Sequence, residues 1–199
     1  FIGTVSPAGG NLKEPVTEST KKAARCFYAL SQNRADSKRY PAIDTLDSYS
    51  KYLEYPEFIE FSKEKLDENW VELVNEARNI LVRGKETEEQ INILGDDSVP
   101  IDYHVTLWKS EFVDFVILQQ DAFDKIDATT SLERQEFMLK KVINVTRSEF
   151  KFEGFEEVGT YFKRLINVFR QMNYTVFKSD EFHKAEAETE AVLEERIIK

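Results

Sequence analysis

The stretch Lys38-Arg39-Tyr40-Pro41-Ala42-Ile43-Asp44-Thr45-Leu46-Asp47-Ser48-Tyr49-Ser50-Lys51-Tyr52 lies between helical patterns and sets how the rest of the chain is read. Pro41 fixes its own φ and biases Tyr40 toward extended backbone. Asp44, Thr45, Asp47 and Ser48 carry short polar side chains that bond back to nearby backbone, so the stretch is expected to be rigid and irregular. An aromatic ring held before a proline has two readings. Tyr40 either plugs a gap in the core or offers a flat apolar face to a planar ligand.

Composition narrows the choice. The chain has 199 residues, 41% hydrophobic and 13% aromatic with 15 Phe, which is enough apolar area for a core that needs no staples. With only 7 Gly and 5 Pro there is room for long helices. A formal net charge of -10 argues against a nucleic-acid partner, which selects a basic footprint, and disfavours anionic membrane surfaces. The single cysteine, Cys26, excludes an intrachain disulfide framework and makes a reducing compartment the default. It falls in a helical pattern and reads as a small buried hydrophobe. His104 and His183 lack companions at ligand spacing, so no metal site is expected and each reads as a solvated helix residue. No apolar run is long enough to span a bilayer.

Phe1-Ile2-Gly3-Thr4-Val5 resembles a short buried strand with no neighbour in sequence to pair with, which suggests a fragment. Ser6 to Asn11 is turn chemistry. Glu14-Pro15-Val16-Thr17 opens an expected amphipathic helix of about four turns, with Ala23, Ala24, Phe27, Leu30 and Ser31 on one face. A short polar helix over Asn33 to Arg39 then delivers the chain to Tyr40. A domain boundary is placed near Tyr55, dividing residues 1–55 from 56–199.

Beyond Pro56 the apolar spacing is helical. Phe58 and Phe61 start one helix whose face runs to Gly84, and Lys85 to Leu94 forms another, stopped by Gly95. The acidic turn Gly95-Asp96-Asp97-Ser98-Val99-Pro100-Ile101-Asp102 lacks the further oxygen ligands that a cation needs, and reads as a solvated tip. A helix from Asp102 to Gln120 ends in Leu118-Gln119-Gln120-Asp121-Ala122-Phe123-Asp124, where two amides and an aromatic ring either pack at a helix end or face a heterocycle. Asp127 to Ser131 is a capping cluster. Two strongly periodic helices follow, and a last one from Ser179 has a narrow apolar seam and an end expected to fray. The fold class is mainly α, with a bundle of about six helices. On chemistry alone no nucleophile or phosphate loop emerges, and the reading is an acidic helical interaction module or scaffold.

Two pieces change that reading: Ser6-Pro7-Ala8-Gly9-Gly10-Asn11-Leu12-Lys13-Glu14-Pro15-Val16-Thr17 and Tyr40-Pro41-Ala42-Ile43-Asp44-Thr45-Leu46-Asp47-Ser48-Tyr49-Ser50. They resemble the catalytic A subunits of V/A-type rotary ATPases, and the second is also similar to the F-type beta subunit. Ile93-Leu94-Gly95-Asp96-Asp97, Leu118 to Asp124 and Ser131-Leu132-Glu133-Arg134-Gln135 fit the same family in the same order. The resemblance implies a C-terminal helical bundle domain preceded by the terminal strand and helices of a P-loop nucleotide-binding α/β domain. It implies ATP or ADP with Mg2+ as ligand of the intact subunit. It also implies B subunits in an alternating hexameric ring and central rotor stalk subunits as partners, and a place in the cytoplasmic head, peripheral to a membrane across which protons or sodium move. The family's phosphate loop, magnesium-site residues and catalytic glutamate lie upstream, so no catalytic residue is expected here and this stretch alone is not expected to hydrolyse ATP.

Carried over by residue, Tyr40 falls on the family's adenine-stacking aromatic and Phe123 on the second aromatic of that pocket, with Gln119, Gln120 and Ala122 beside it. Asp96, Asp97, Ser98, Val99 and Pro100 occupy the place of the acidic loop that touches the rotor, with Val99-Pro100-Ile101 replacing polar residues. Lys51 stands where the related non-catalytic subunit carries an arginine that reaches a neighbouring nucleotide, and it lacks the planar fork of that residue.

Overall fold

The strongest apolar periodicity in the chain belongs to the helix that forms the centre of the core, α7 (Phe155–Asn173). Its Val158, Phe162, Leu165, Phe169 and Met172 are spaced alternately four and three residues apart, share one face and are fully buried. Against that face α5 (Ile101–Val113) sets Phe112, whose ring meets Phe169 edge-on at 4.8 Å between centroids. Helices α6 (Leu132–Arg147) and α8 (Asp180–Glu194) add Val142, Val145, Phe182 and Val192. Each phenylalanine buried in this way contributes roughly 1.5–3 kcal/mol relative to exposure. A smaller cluster of Leu73, Leu139 and Ile143 joins α4 (Trp70–Leu94) to α6, and α3 (Pro56–Lys65) leads into α4. The computed structural model describes residues 1–198, and α3 to α8 are the six helices expected of the bundle.

Polar groups lock the end of α7. Arg134, buried in the first turn of α6, donates to the carbonyls of Met172, Asn173 and Thr175 at 3.1, 2.6 and 3.0 Å. These are carbonyls that a helix terminus leaves without intrahelical partners. Burial lowers the pKa of Arg134, with Asp127 and Asp124 acting in the opposite direction.

Ahead of the bundle, α1 (Pro15–Ala23) is followed by strand β1 (Cys26–Leu30), helix α2 (Gln32–Asp36) and strand β2 (Ile43–Ser50). The strands pair antiparallel, Cys26 opposite Ser50 and Leu30 opposite Ile43, with a bulge between Phe27 and Ala29. The bulge is held by the short polar side chains singled out above. The Asp44 carboxylate accepts from the backbone N–H of Leu46 and Asp47 at 2.9 and 3.0 Å. The Ser48 hydroxyl accepts from Ala29 N–H at 3.0 Å and donates to the Asp44 carbonyl. Arg78 of α4 ties this ribbon to the bundle by donating to the carbonyls of Thr45, Leu46 and Ser48.

Several expectations are corrected. Residues 1–7 form no strand, and Phe1 and Ile2 are exposed, because no strand among the described residues lies alongside to complete a ladder. The helix expected through Ser31 stops at Ala23. Phe27 instead stacks across the ribbon on Tyr49, whose hydroxyl donates to the carbonyls of Lys21 and Ala24, so Cys26 is a half-buried strand residue. Irregular backbone is confined to Ser37–Ala42, with a cis Tyr40–Pro41 peptide, while Ile43–Ser50 is extended. The helix starting at Phe58 breaks over 66–69, and the one expected to end at Gly84 runs on to Leu94. His104 is buried, not solvated: its ring stacks on Phe155 at 5.0 Å and its Nε2 lies 3.1 Å from the Asp96 carbonyl. His183 is exposed as expected. After α8 the backbone of Ile198 and Lys151 bonds across to Glu149 and Arg196, so that end is tied down through residue 198.

Gly84 has a packing reason: a Cβ built there would lie 2.1 Å from Cβ of Ser110, so α4 and α5 touch where only glycine fits. Gly84→Ala is expected to lower stability by about 1–3 kcal/mol through overpacking, outweighing the ~1 kcal/mol that alanine gains over glycine in an open helix. The check is a fall in the urea midpoint at unchanged slope; a raised midpoint would show that the helices are not this close.

The connection between α5 and α6 is closed by Asp127, whose carboxylate is buried and accepts from Asp121 N–H at 2.6 Å. Burial raises its pKa, against the pull of that N–H and of Arg134. The folded state therefore keeps this proton to higher pH than the unfolded chain does, and the carboxylate subtracts stability as pH rises from the ordinary aspartate range through the raised value. Asp127→Asn, which keeps an acceptor for Asp121, is expected to gain stability relative to the parent as pH rises through that interval and then to level off. Thermal melts of both proteins across the acidic to neutral range read this difference, and a difference that does not vary with pH would refute it.

Candidate functional site

Helix α5 does not end in a regular turn. It winds into a π-turn over Asp114–Leu118, closed by Gln119 N–H to the Asp114 carbonyl at 2.9 Å, which delivers the chain to Gln119 in extended backbone. A π-turn leaves a widened backbone, and Asn173 at the end of α7 fills it by donating to the Val116 carbonyl at 2.9 Å. The next residue, Gln120, donates its backbone N–H to the Tyr40 carbonyl at 2.8 Å. That bond splices the segment before β2 to the segment after α5.

Between them opens a cleft of about 760 Å³, walled by Tyr40 and Pro41 on one side and by Gln119, Gln120, Ala122 and Phe123 on the other. Phe115, Asp121, Asp127, Ala128, Arg170, Asn173 and Tyr174 complete it. The loop that carries Phe123 is held by backbone-directed carboxylates. Asp121 accepts from Phe123 N–H at 2.9 Å, and Asp124 accepts from the N–H groups of Ile126 and Asp127 at 2.9 and 2.8 Å. The Phe123 backbone is thereby fixed while its ring is 99% exposed, and Tyr40 is 52% exposed. Two aromatic rings held out of the core on tied backbone suit a planar apolar ligand. The side-chain amide oxygen of Gln119 is buried with no hydrogen-bond partner in the described structure, an acceptor whose demand the surrounding protein groups leave unmet.

A second cavity of about 650 Å³ shares Gln119, Gln120, Asp127 and Asn173 with the cleft and lies between the ribbon and α4, α5 and α6. Its walls are mainly apolar, with Trp70, Val74, Val116 and Met138, and of its rings Tyr28 is exposed while Tyr49 and Trp70 are half-buried. The cleft is the better candidate on chemistry.

All five residues expected at an adenine site, Tyr40, Gln119, Gln120, Ala122 and Phe123, thus line one cleft. The other expected group, Asp96 to Pro100, does not join them. It forms the turn between α4 and α5, with Asp96, Asp97, Ser98 and Pro100 exposed and Val99 half-buried. One helix separates the two places: α5 starts just after Pro100, and its π-turn ends at Leu118, a run of about 27 Å at 1.5 Å per residue. Lys51 sits over the Tyr49 ring at 5.8 Å, in the ribbon and not in the cleft.

Sequence reasoning missed a cluster beside the cleft. Arg34 and Arg39 both reach the Asp114 carboxylate at 2.8 Å, and Arg39 also forms a two-pronged pair with Glu111 at 3.1 and 2.7 Å. The signal was present: Asp114 is a lone carboxylate inside Phe112-Val113-Asp114-Phe115-Val116, and a charge in such a run requires a partner. Arg170, Asn173 and Tyr174 were also missed, because nothing in their spacing marks which end of α7 meets the cleft.

Comparison with known proteins agrees along the chain. Residues 1–50 match the family described as ATP synthase alpha/beta family, nucleotide-binding domain, and residues 60–152 match the C-terminal domain of V and A type ATP synthase. The V-type ATP synthase alpha chain of Borrelia duttonii is 37% identical over 191 residues, covering 96% of this chain and 31% of that protein. Those of Treponema denticola and Protochlamydia amoebophila are 37% and 36% identical, covering 92% and 98% of this chain and 29% and 32% of theirs. The chain therefore spans about a third of the length of the curated relatives it matches. The structure of the ATP synthase subunit NeqB from Nanoarcheaum equitans shares the fold with a TM-score of 0.54 at 20% identity, covering 71% of this chain and 33% of that one. With the two stretches matched in this order, residues 1–50 belong to the nucleotide-binding domain of the ATP synthase alpha/beta family and residues 60–152 to the C-terminal domain of V and A type ATP synthase.

Proposed function

We propose that this chain supplies the adenine cleft and the rotor-contacting helical domain of a V/A-type catalytic subunit, which couples ATP hydrolysis or synthesis to proton or sodium transport across a membrane. The observation that carries the reading is the splice of Gln120 N–H to the Tyr40 carbonyl, which places Tyr40 and the Gln119 to Phe123 loop on facing walls of one cleft. The residues fit the base of a nucleotide. Two exposed rings offer stacking faces, and the side-chain amide of Gln120, which also lines the cleft, offers polar atoms for the edge of the base. They do not fit the metal: among the described residues no group of three His, Cys, Asp or Glu could hold an ion, so magnesium and the phosphates are assigned to the remainder of the subunit.

In this reading residues 1–55 end the nucleotide-binding domain and 56–199 form the helical domain, a division that falls between the two matched stretches. The cleft lies where the two meet, so nucleotide binding draws them together. Helix α5 spans from the cleft to the 96–100 turn, and movement of the helical domain presses that turn against the central stalk. Partners are B subunits alternating with this subunit in a hexameric ring, and the stalk. The proposed place is the cytoplasmic head, peripheral to the membrane; among the described residues no helix is long and apolar enough to cross one.

The test uses the intact subunit. Stacking a base on an aromatic ring is worth ~1–3 kcal/mol, so Tyr40→Ala and Phe123→Ala are each expected to weaken ATP and ADP binding about tenfold. Phe123→Ala is expected to leave the melting temperature unchanged, since its ring packs on nothing. Wild-type nucleotide affinity in both variants would overturn the reading.

A further inference from the structure

The cluster of Arg34, Arg39, Glu111 and Asp114 is more than the geometry of a salt bridge requires. Asp114 lies in the π-turn with its side chain 7% exposed, and its two oxygens are each taken by a different arginine, Arg34 on Oδ1 and Arg39 on Oδ2. Both arginines come from the short segment that ends at Tyr40. Arg39 N–H donates to the Arg34 carbonyl at 2.8 Å, closing a turn in which Lys38 takes a left-handed φ of 57°. A non-glycine residue in that region persists where its surroundings hold it. The Arg39 guanidinium also lies 4.6 Å from the centre of the Phe115 ring, and Phe115 is itself a wall of the cleft. Glu111, Asp114 and Phe115 occupy one face of the last turn of α5, so Arg39 reads three neighbours on one surface.

We propose that Arg39, held by Asp114 and Glu111, is the positioning residue of the cleft: it fixes the Tyr40 segment to the end of α5 and so sets the spacing between the Tyr40 ring and the Gln119 to Phe123 wall. The proposal rests on the adenine reading of the cleft. Arg39 does not touch the base; it acts through Tyr40, the next residue. Arg34 supports it from the other oxygen of Asp114. Two of the Arg34 nitrogens, Nε and Nη2, are buried without a partner in the described structure, so Asp114 is the one carboxylate that compensates its charge there. The chain thus has a second fastening besides the Gln120 to Tyr40 backbone bond, and this one is built of side chains.

The experiment measures ATP hydrolysis by the assembled enzyme, with inorganic tripolyphosphate as a competitive inhibitor that has no base. Arg39→Met keeps the stem of the side chain and removes the fork. It is expected to raise KM for ATP about tenfold, the scale of one lost stacking face, with kcat within about twofold and the inhibition constant of tripolyphosphate unchanged. Placed on Tyr40→Ala, Arg39→Met is expected to add nothing, because the ring it positions is gone. Arg39→Lys, which keeps the charge but not the two-pronged pair, is expected to shift KM in the same direction by a smaller factor, and it carries the test if Arg39→Met does not assemble. An unchanged KM in the arginine variants, an additive effect on Tyr40→Ala, or an equal loss of tripolyphosphate affinity would overturn the positioning role while leaving the cleft reading intact. A wild-type KM in Tyr40→Ala itself would remove the cleft reading and the positioning role together.

Discussion

A carboxylate in an apolar run must be neutralised or the run cannot be buried. Asp114 stands between Val113 and Phe115, with Phe112 and Val116 in the core, and its burial without partners would cost several kcal/mol. The bundle cannot supply that compensation from α5 alone, since the nearest charge on the same face, Glu111, has the same sign. It comes from Arg34 and Arg39, which belong to the segment before β2. Burial works against the charge of Arg39, yet Glu111 and Asp114 outweigh it and raise its pKa, so Arg39 keeps its charge. The docking of the Arg34 to Tyr40 segment on the end of α5 is therefore set by one acidic side chain, while Arg78 ties the ribbon itself to α4.

From this the cleft follows. Once the Arg34 to Arg39 turn is anchored, Tyr40 emerges next to the loop that leaves the π-turn, and Gln120 N–H meets the Tyr40 carbonyl. The π-turn itself is supported from α7, by Asn173 on the Val116 carbonyl, and α7 is in turn capped by Arg134 from α6. Polar side chains from α2, through Arg34, and from α7, through Asn173, thus converge on the end of α5, with Arg134 of α6 bracing α7 behind them. At its other end His104 plays a comparable part, stacked on Phe155 of α7 and set against the Asp96 carbonyl of the exposed turn. Both ends of α5 are fastened to α7, by His104 on Phe155 and by Asn173 on the Val116 carbonyl.

The helical bundle was legible in the sequence because its signal is redundant: in α7 five fully buried residues repeat the same spacing. The ribbon was not. Ala23, Ala24, Phe27 and Leu30 satisfy a helical period, but an apolar run of that length also satisfies a strand, and what decided it was Tyr49, Ser48 and Asp44 some twenty residues on. Asp44 and Ser48 were rightly read as bonding to backbone, yet the backbone they fix is a bulged strand. Gly84 was read as a stop, as glycine is in isolation; its role is to admit Ser110. His104, without companions at ligand spacing, reads as solvated, because the Phe155 ring that covers it is far along the chain. At the cleft the aromatic and amide residues were legible through family resemblance, while the ionic cluster, which needs contacts between positions 34, 39, 111 and 114, was visible only as a misplaced aspartate.

The chemistry of the cleft also bounds what it does. Its rings and amides can hold a base, and holding a base equally in substrate and transition state lowers KM without raising kcat. On the proposed reading this is an advantage for a subunit that must release product in each cycle. One ring of the cleft is fully exposed and the other half-exposed, and its two walls belong to elements joined by one backbone hydrogen bond, one ionic cluster and the Arg78 bonds to the ribbon. On the proposed reading a base bound between the walls adds a further link. Its worth then includes the order it gives to the junction of ribbon and bundle, from which α5 runs to the turn at Asp96 and Asp97.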